Sequence, residues 1–293
     1  MAAAFPCLRL SGQGERPLKK IRILFAFIFA FILVVPFALA AKPLSALAND
    51  KEYQTIVTVP DRIDTEYINY SRKESTKNFF ILPSYTCSFN KSACGPVSAA
   101  IITAYYAVSC PALFPGFTPH YYSPTDGRII FYSSHAKIDW LLSSYITIMS
   151  VSVGNGVTVA RYKQGISDYF SIVAGLTVTL GRQVLTNGSL HFQGCVTALD
   201  AGRPVALFMS YYNIAILGTP QDGQDKLIQH VYINNHIVTA CGYEIIKYYR
   251  IENGVEKLFR TDNYLAVQTG WGYAAWMYVG SNFTAHDAYS VWI

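Results

Sequence analysis

Cys94, His236 and the run Thr269-Gly270-Trp271-Gly272 are the residues of this chain whose types and spacing can do chemistry. The chemistry is nucleophilic attack. A thiol attacks a carbonyl at neutral pH when a helix amino terminus and a nearby imidazole favour its thiolate. The run Ser92-Ala93-Cys94-Gly95-Pro96-Val97 supplies the helix start: Gly95 leaves the backbone uncrowded and Pro96 suits a first turn. Ala99, Ala100, Ile101, Ile102 and Ala104 continue an apolar helix to about Val108, and Pro111 ends it. Cys94 then sits at the positive end of the helix dipole. His236 opens the β-rich stretch His236-Ile237-Val238-Thr239-Ala240, and Trp271 is the ring placed to shield an imidazole contact from water.

Three blocks in this order, Cys94 at a helix start, His236 at a strand start and a strand ending in Gly270-Trp271-Gly272, resemble the papain-like cysteine peptidase superfamily. The nearest branches are the secreted bacterial ones, bacteriocin-leader-peptidase-like and streptopain-like. The resemblance implies an α+β, two-lobed fold in which a helical lobe carries Cys94 and an antiparallel sheet lobe carries His236. It implies Cys94 as nucleophile, His236 as base, a peptide or protein as substrate, and no cofactor or metal. Two positions depart from the family pattern. Ser88 stands where a glutamine amide helps bind the oxyanion, with Asn90 the nearest amide, and Thr269 stands where an asparagine orients the histidine. A threonine hydroxyl can accept the imidazole N–H. Gln268, Asp262 and Asn263 are alternative third members, the last two about 20 Å back along the strand at about 3.3 Å per residue.

The elements that must position these groups follow from pattern. Ile237 to Ile251 and Val255 to Thr269 are β-rich and meet at Asn253-Gly254, a strong hairpin signal. With those two as turn residues, cross-strand partners sum to 507, so His236 faces Trp271 and Thr269 lies a diagonal step away. Ile138 to Leu142 and Val159 to Phe170 have helical spacing, Gln193 to Ala201 reads as a short helix, and Val205 to Met209 as a buried strand. Pro111 to Gly127 and Gly218 to Gln229 read as loops. Phe79 to Pro83 is the expected first core strand, which makes 79–293 the peptidase domain and 41–78 a linker or pro-segment.

Composition places this domain outside the cell. Lys19-Lys20-Ile21-Arg22, the apolar run Ile23 to Val35, and Pro36-Phe37-Ala38-Leu39-Ala40 form a signal peptide over 1–40, or an uncleaved anchor through Ala41. Removing 1–40 lowers the net charge from +5 to +1, so no nucleic-acid partner is expected, and membrane contact is confined to that segment. The cysteines have no zinc-site spacing. The reading is therefore an exported thiol peptidase, at the cell surface or secreted. A cysteine amidase acting on cell-wall peptides, or a non-catalytic binding module of the same fold, stands as the alternative.

Overall fold

The computed structural model describes residues 62–218, 220–280 and 283–293. The leader or anchor and residues 41–61 of the expected linker lie outside them. The described chain is mixed α+β, with a mostly antiparallel sheet and four α-helices. No described helix is long and apolar enough to cross a membrane.

Strands β1 (Arg62–Asn69) and β2 (Arg72–Phe79) come first, then helix α1 (Cys94–Tyr106), a short hairpin of β3 (His120–Tyr122) and β4 (Ile129–Phe131), and helices α2 (Ala136–Ile148) and α3 (Val159–Ala174). There follow β5 (Thr179–Arg182), α4 (Phe192–Asp200), and the long strands β6 (Val205–Leu217), β7 (Gln224–Glu252) and β8 (Val255–Gln268), then β9 (Ala274–Tyr278) and β10 (Thr284–Trp292). β7 pairs with β6 along its first half and with β8 along its second. β9 pairs with both β8 and β6, so β6, β7, β8 and β9 close into a ring.

The expected hairpin forms with both Asn253 and Gly254 at positive φ, the geometry of a tight two-residue turn. Partners sum to 507 from Glu252↔Val255, slip by one at Phe259 on β8, and slip back at Cys241 on β7. The two bulges cancel, and Thr239↔Gln268 has the register that the sequence implied.

Alternation sets the layers. Phe208 and Ile237 join the cluster of α1, α2 and α3, with Ile101, Leu141, Tyr145, Tyr162 and Phe170. Their neighbours Leu207, Met209 and Val238 join the opposite cluster with Cys195 and Leu199 of α4. α1 is buried at every residue from Gly95 to Ala104, which explains its continuous apolar and small composition.

Three expectations differ from the structure. Residues 62–79, expected as linker or pro-segment up to 78, form β1 and β2, which pair along Gln224–Val231 and Gly242–Tyr249 of β7. β2 exposes almost every side chain, so no alternation betrays it, and of the expected core strand Phe79–Pro83 only Phe79 lies in a strand, as the last residue of β2. The expected polar loop 218–229 becomes strand from Gln224, where Asp225, Leu227 and Gln229 alternate as buried positions; two of the three are polar and satisfied by partners, which masks the apolar alternation of a strand. The expected loop 111–127 contains β3.

Candidate active site

Cys94 is the first residue of α1. The loop before it is tied by Asn90, whose carboxamide oxygen accepts the Ser92 N–H at 2.9 Å, and by Ser92, whose hydroxyl oxygen accepts the Gly154 N–H at 2.9 Å. No acidic residue occupies the first turn to oppose a thiolate. Gly95 has no room for a side chain, because an added Cβ would overlap Val157 and come within 3.4 Å of the Ile237 side chain. This close approach brings the Cys94 thiol to the backbone N–H of Ile237, the residue after His236.

A buried hydroxyl chain fixes α1 against β7. The Ser98 hydroxyl meets Thr239 at 2.8 Å and Tyr162 at 3.1 Å. Ser98 is one helical turn beyond Cys94 and Thr239 is three residues beyond His236, so the contact fixes the start of α1 against the stretch of β7 that follows His236. Nothing in the sequence distinguishes these hydroxyls from ordinary polar residues on apolar elements.

His236 lies on β7 beside a bulge, where Asn234 and Asn235 oppose the single residue Ser210 of β6. A bulge re-aims the side chain that follows it. The imidazole stacks on Trp271 with centroids 4.7 Å apart and planes 14° apart, as the register implied. Its Nε2 lies 2.8 Å from the backbone carbonyl oxygen of Thr269. With Nε2–H donating to that carbonyl, Nδ1 carries the lone pair that a base needs.

Thr269 therefore meets the histidine, but through its main chain and not through the hydroxyl that the sequence suggested. The hydroxyl donates to the Tyr273 carbonyl at 2.7 Å and accepts the Trp271 N–H at 3.2 Å. Gly270 and Gly272, both at positive φ, let the chain fold tightly enough for those two bonds. The turn rests on α1, since an added Cβ at Gly270 would lie 3.5 Å from Val97.

The alternative third members lie elsewhere. Asp262 and Asn263 pair with Ile246 and Ile245, ten and nine residues along β7 from His236, and Asp262 is engaged by Arg260 at 2.7 Å. Gln268 accepts from the Ser84 hydroxyl at 2.7 Å and donates to the Leu82 carbonyl at 3.1 Å. It thus pins the segment that leads to Cys94, and Thr86 bridges Trp271 in the same segment. Ser88 and Asn90 follow on that loop.

Burial governs the resting charge. It pushes the Cys94 thiol above its ordinary pKa, against the lowering effect of the Ile237, Gly95 and Cys94 N–H groups. It also pulls His236 down to about 4, opposed by the Thr269 carbonyl. At neutral pH the pair rests as thiol and neutral imidazole. The Cys195 and Cys241 thiols are pushed up to about 12 by burial alone, which makes them inert.

No family model, curated protein or solved structure matches the chain.

Proposed function

We propose that this protein is an exported cysteine peptidase of the papain-like kind, with Cys94 as nucleophile and His236 as base. The observation that carries the reading is the convergence of the helix-start thiol and the Nε2-anchored imidazole at adjacent β7 residues. The thiol contacts the Ile237 N–H while His236 bonds the Thr269 carbonyl. A helical part carrying Cys94 packed on a strand ring carrying His236 supports a two-lobed arrangement. The basic and apolar leader supports export.

His236 Nδ1 takes the thiol proton as the sulfur attacks a peptide carbonyl carbon. The carbonyl electron pair moves to oxygen, where the Cys94 N–H at the helix start stabilises it, with Asn90 or Ser88 the side chains nearest along the chain. The imidazolium gives its proton to the departing amine as the C–N bond breaks. Water, deprotonated by His236, then hydrolyses the thioester. The Thr269 carbonyl holds the imidazolium because it accepts the Nε2 proton in both charge states. An amide in a cell-wall peptide would follow the same steps.

The neutral resting pair favours a second reading, a binding module of the same fold that uses the cleft without chemistry. Iodoacetamide separates the two. A peptidase alkylates first at Cys94, faster as pH rises toward the raised thiol pKa, and loses turnover of general peptides in Cys94→Ala. Equal labelling of Cys94 and Cys87, with no turnover in any form, would leave the binding module.

A further inference from the structure

Gln268 is almost fully enclosed, 7% exposed, and the imidazole is held by its neighbour Thr269 and not by it. Its carboxamide bonds as a peptide group would. The oxygen accepts the Ser84 hydroxyl at 2.7 Å and the nitrogen donates to the Leu82 carbonyl at 3.1 Å. Pro83, between those two residues, has no N–H, so a regular ladder of main-chain bonds cannot run through this segment. Two further ties flank it. The Phe80 N–H donates to the Cys241 carbonyl at 2.9 Å, and Thr86 bridges Trp271. Leu82, Ser84 and Thr86 are alternate residues, the spacing of an extended segment tied along one side. The chain then enters α1 through a turn in which the Asn90 carbonyl accepts the Ala93 N–H at 3.3 Å.

One short stretch, Gln268 to Trp271, therefore holds two parts of the site. Thr269 anchors the imidazole through its carbonyl and Trp271 stacks on it, while Gln268 and Trp271 tie down the segment that leads into the loop before Cys94. We propose that Gln268 is a positioning residue for acyl transfer: its carboxamide fixes the 82–86 segment, and through it the 87–93 loop with Ser88 and Asn90, against the helix start whose Cys94 N–H receives the oxyanion. The inference rests on the Cys94–His236 reading and adds how the oxyanion side of that site is held. An apolar side chain of the same shape would need no partners at this buried position. The carboxamide has both of its groups bonded, and a fully bonded buried polar group specifies one arrangement of the elements it joins.

Alkylation and acyl transfer separate the thiol from the oxyanion side. Iodoacetamide forms a C–S bond at Cys94 with loss of iodide and develops no charge on a carbonyl oxygen, whereas peptide hydrolysis passes through the oxyanion. Gln268→Met keeps the side-chain length and removes both hydrogen bonds. In the full-length protein we expect kcat for a general peptide to fall about ten- to hundredfold with KM within about threefold of the parent, because the weakened interaction is made only in the transition state. The Cys94 alkylation rate should stay within about twofold of the parent. Gln268→Glu supplies a rescue, since an ionised carboxylate accepts from Ser84 but cannot donate to Leu82, whereas the protonated form does both. Its kcat relative to the parent, counted per alkylatable molecule, should therefore rise as pH falls from about 8 to about 5, the range in which a buried glutamate gains its proton. Unchanged kcat in Gln268→Met, or alkylation and turnover falling together, overturns the positioning role and leaves the thiol chemistry standing. A Gln268→Glu ratio that is flat or falls as pH drops overturns it as well. Absence of turnover in the unaltered protein overturns the Cys94–His236 reading and the positioning role with it.

Discussion

The imidazole of His236 is held by a main-chain carbonyl, which no substitution of Thr269 removes. Thr269→Val keeps that carbonyl and deletes two hydrogen bonds of the 269–273 turn, leaving the Tyr273 carbonyl and the Trp271 N–H to find other partners. We expect a stability loss of about 1–2 kcal/mol. Turnover per folded molecule should fall less than about tenfold, the change that corresponds to about 1.4 kcal/mol of barrier. Urea melts and active-site titration of the same sample separate the two effects. A fall of a hundredfold or more at unchanged stability would assign the hydroxyl itself to the imidazole.

At the scale of elements, the site depends on how closely α1 approaches β7 and the 152–157 loop. Gly95→Ala adds a methyl that overlaps Val157, so it should cost about 1–3 kcal/mol by overpacking and slow alkylation of Cys94. Gly95→Ala combined with Val157→Ala removes the overlap, and recovery of the alkylation rate is the expected result. A double variant no better than the single one would mean that the approach is not limited at this contact.

A second element-scale dependence lies on β1 and β2. Asp225 is almost fully buried and accepts from Lys73 at 2.8 Å, Tyr70 at 3.2 Å and Tyr248 at 3.1 Å. Lys73 and Tyr70 come from the segment before the expected domain, so that segment neutralises a charge inside the sheet. Lys73→Met should destabilise by about 2–4 kcal/mol, as expected when one partner of a buried pair is lost. Lys73→Met with Asp225→Asn should recover part of that loss. A Lys73→Met variant as stable as the parent would show the segment to be energetically detached, in keeping with a removable pro-segment.

For the whole molecule, the buried histidine ties stability to pH. His236 titrates near 4 when folded and near 6.5 when unfolded, so between those values the unfolded chain binds a proton that the folded chain refuses. Stability is therefore full above about 6.5, falls as pH drops through the window, and levels off below about 4, a loss of about 3 kcal/mol from this group. The Cys94 thiol acts at the other end: it stays protonated when folded, so stability declines as pH rises above the ordinary thiol value. Urea midpoints of the parent and His236→Gln measured from pH 4 to pH 7 isolate the histidine. Their difference should change with pH by about that amount, and a constant difference would place the imidazole in solvent.

The sequence by itself determined the parts that depend on near neighbours in the chain. These are the helix beginning at Cys94, the Asn253-Gly254 hairpin, and the pairing that sets His236 beside Trp271. Turn chemistry and apolar periodicity encode such features locally. Only the tertiary structure decided the rest. β1 and β2 are polar strands whose pairing is carried by backbone groups, which composition does not report. The Ser98–Thr239 contact joins residues 141 positions apart. The histidine's partner is a carbonyl, a group that every residue possesses, so its choice is set by the fold of the 269–273 turn and leaves no mark in the residue type. The resting charge of Cys94 and His236 was likewise a matter of burial, which long-range packing alone creates.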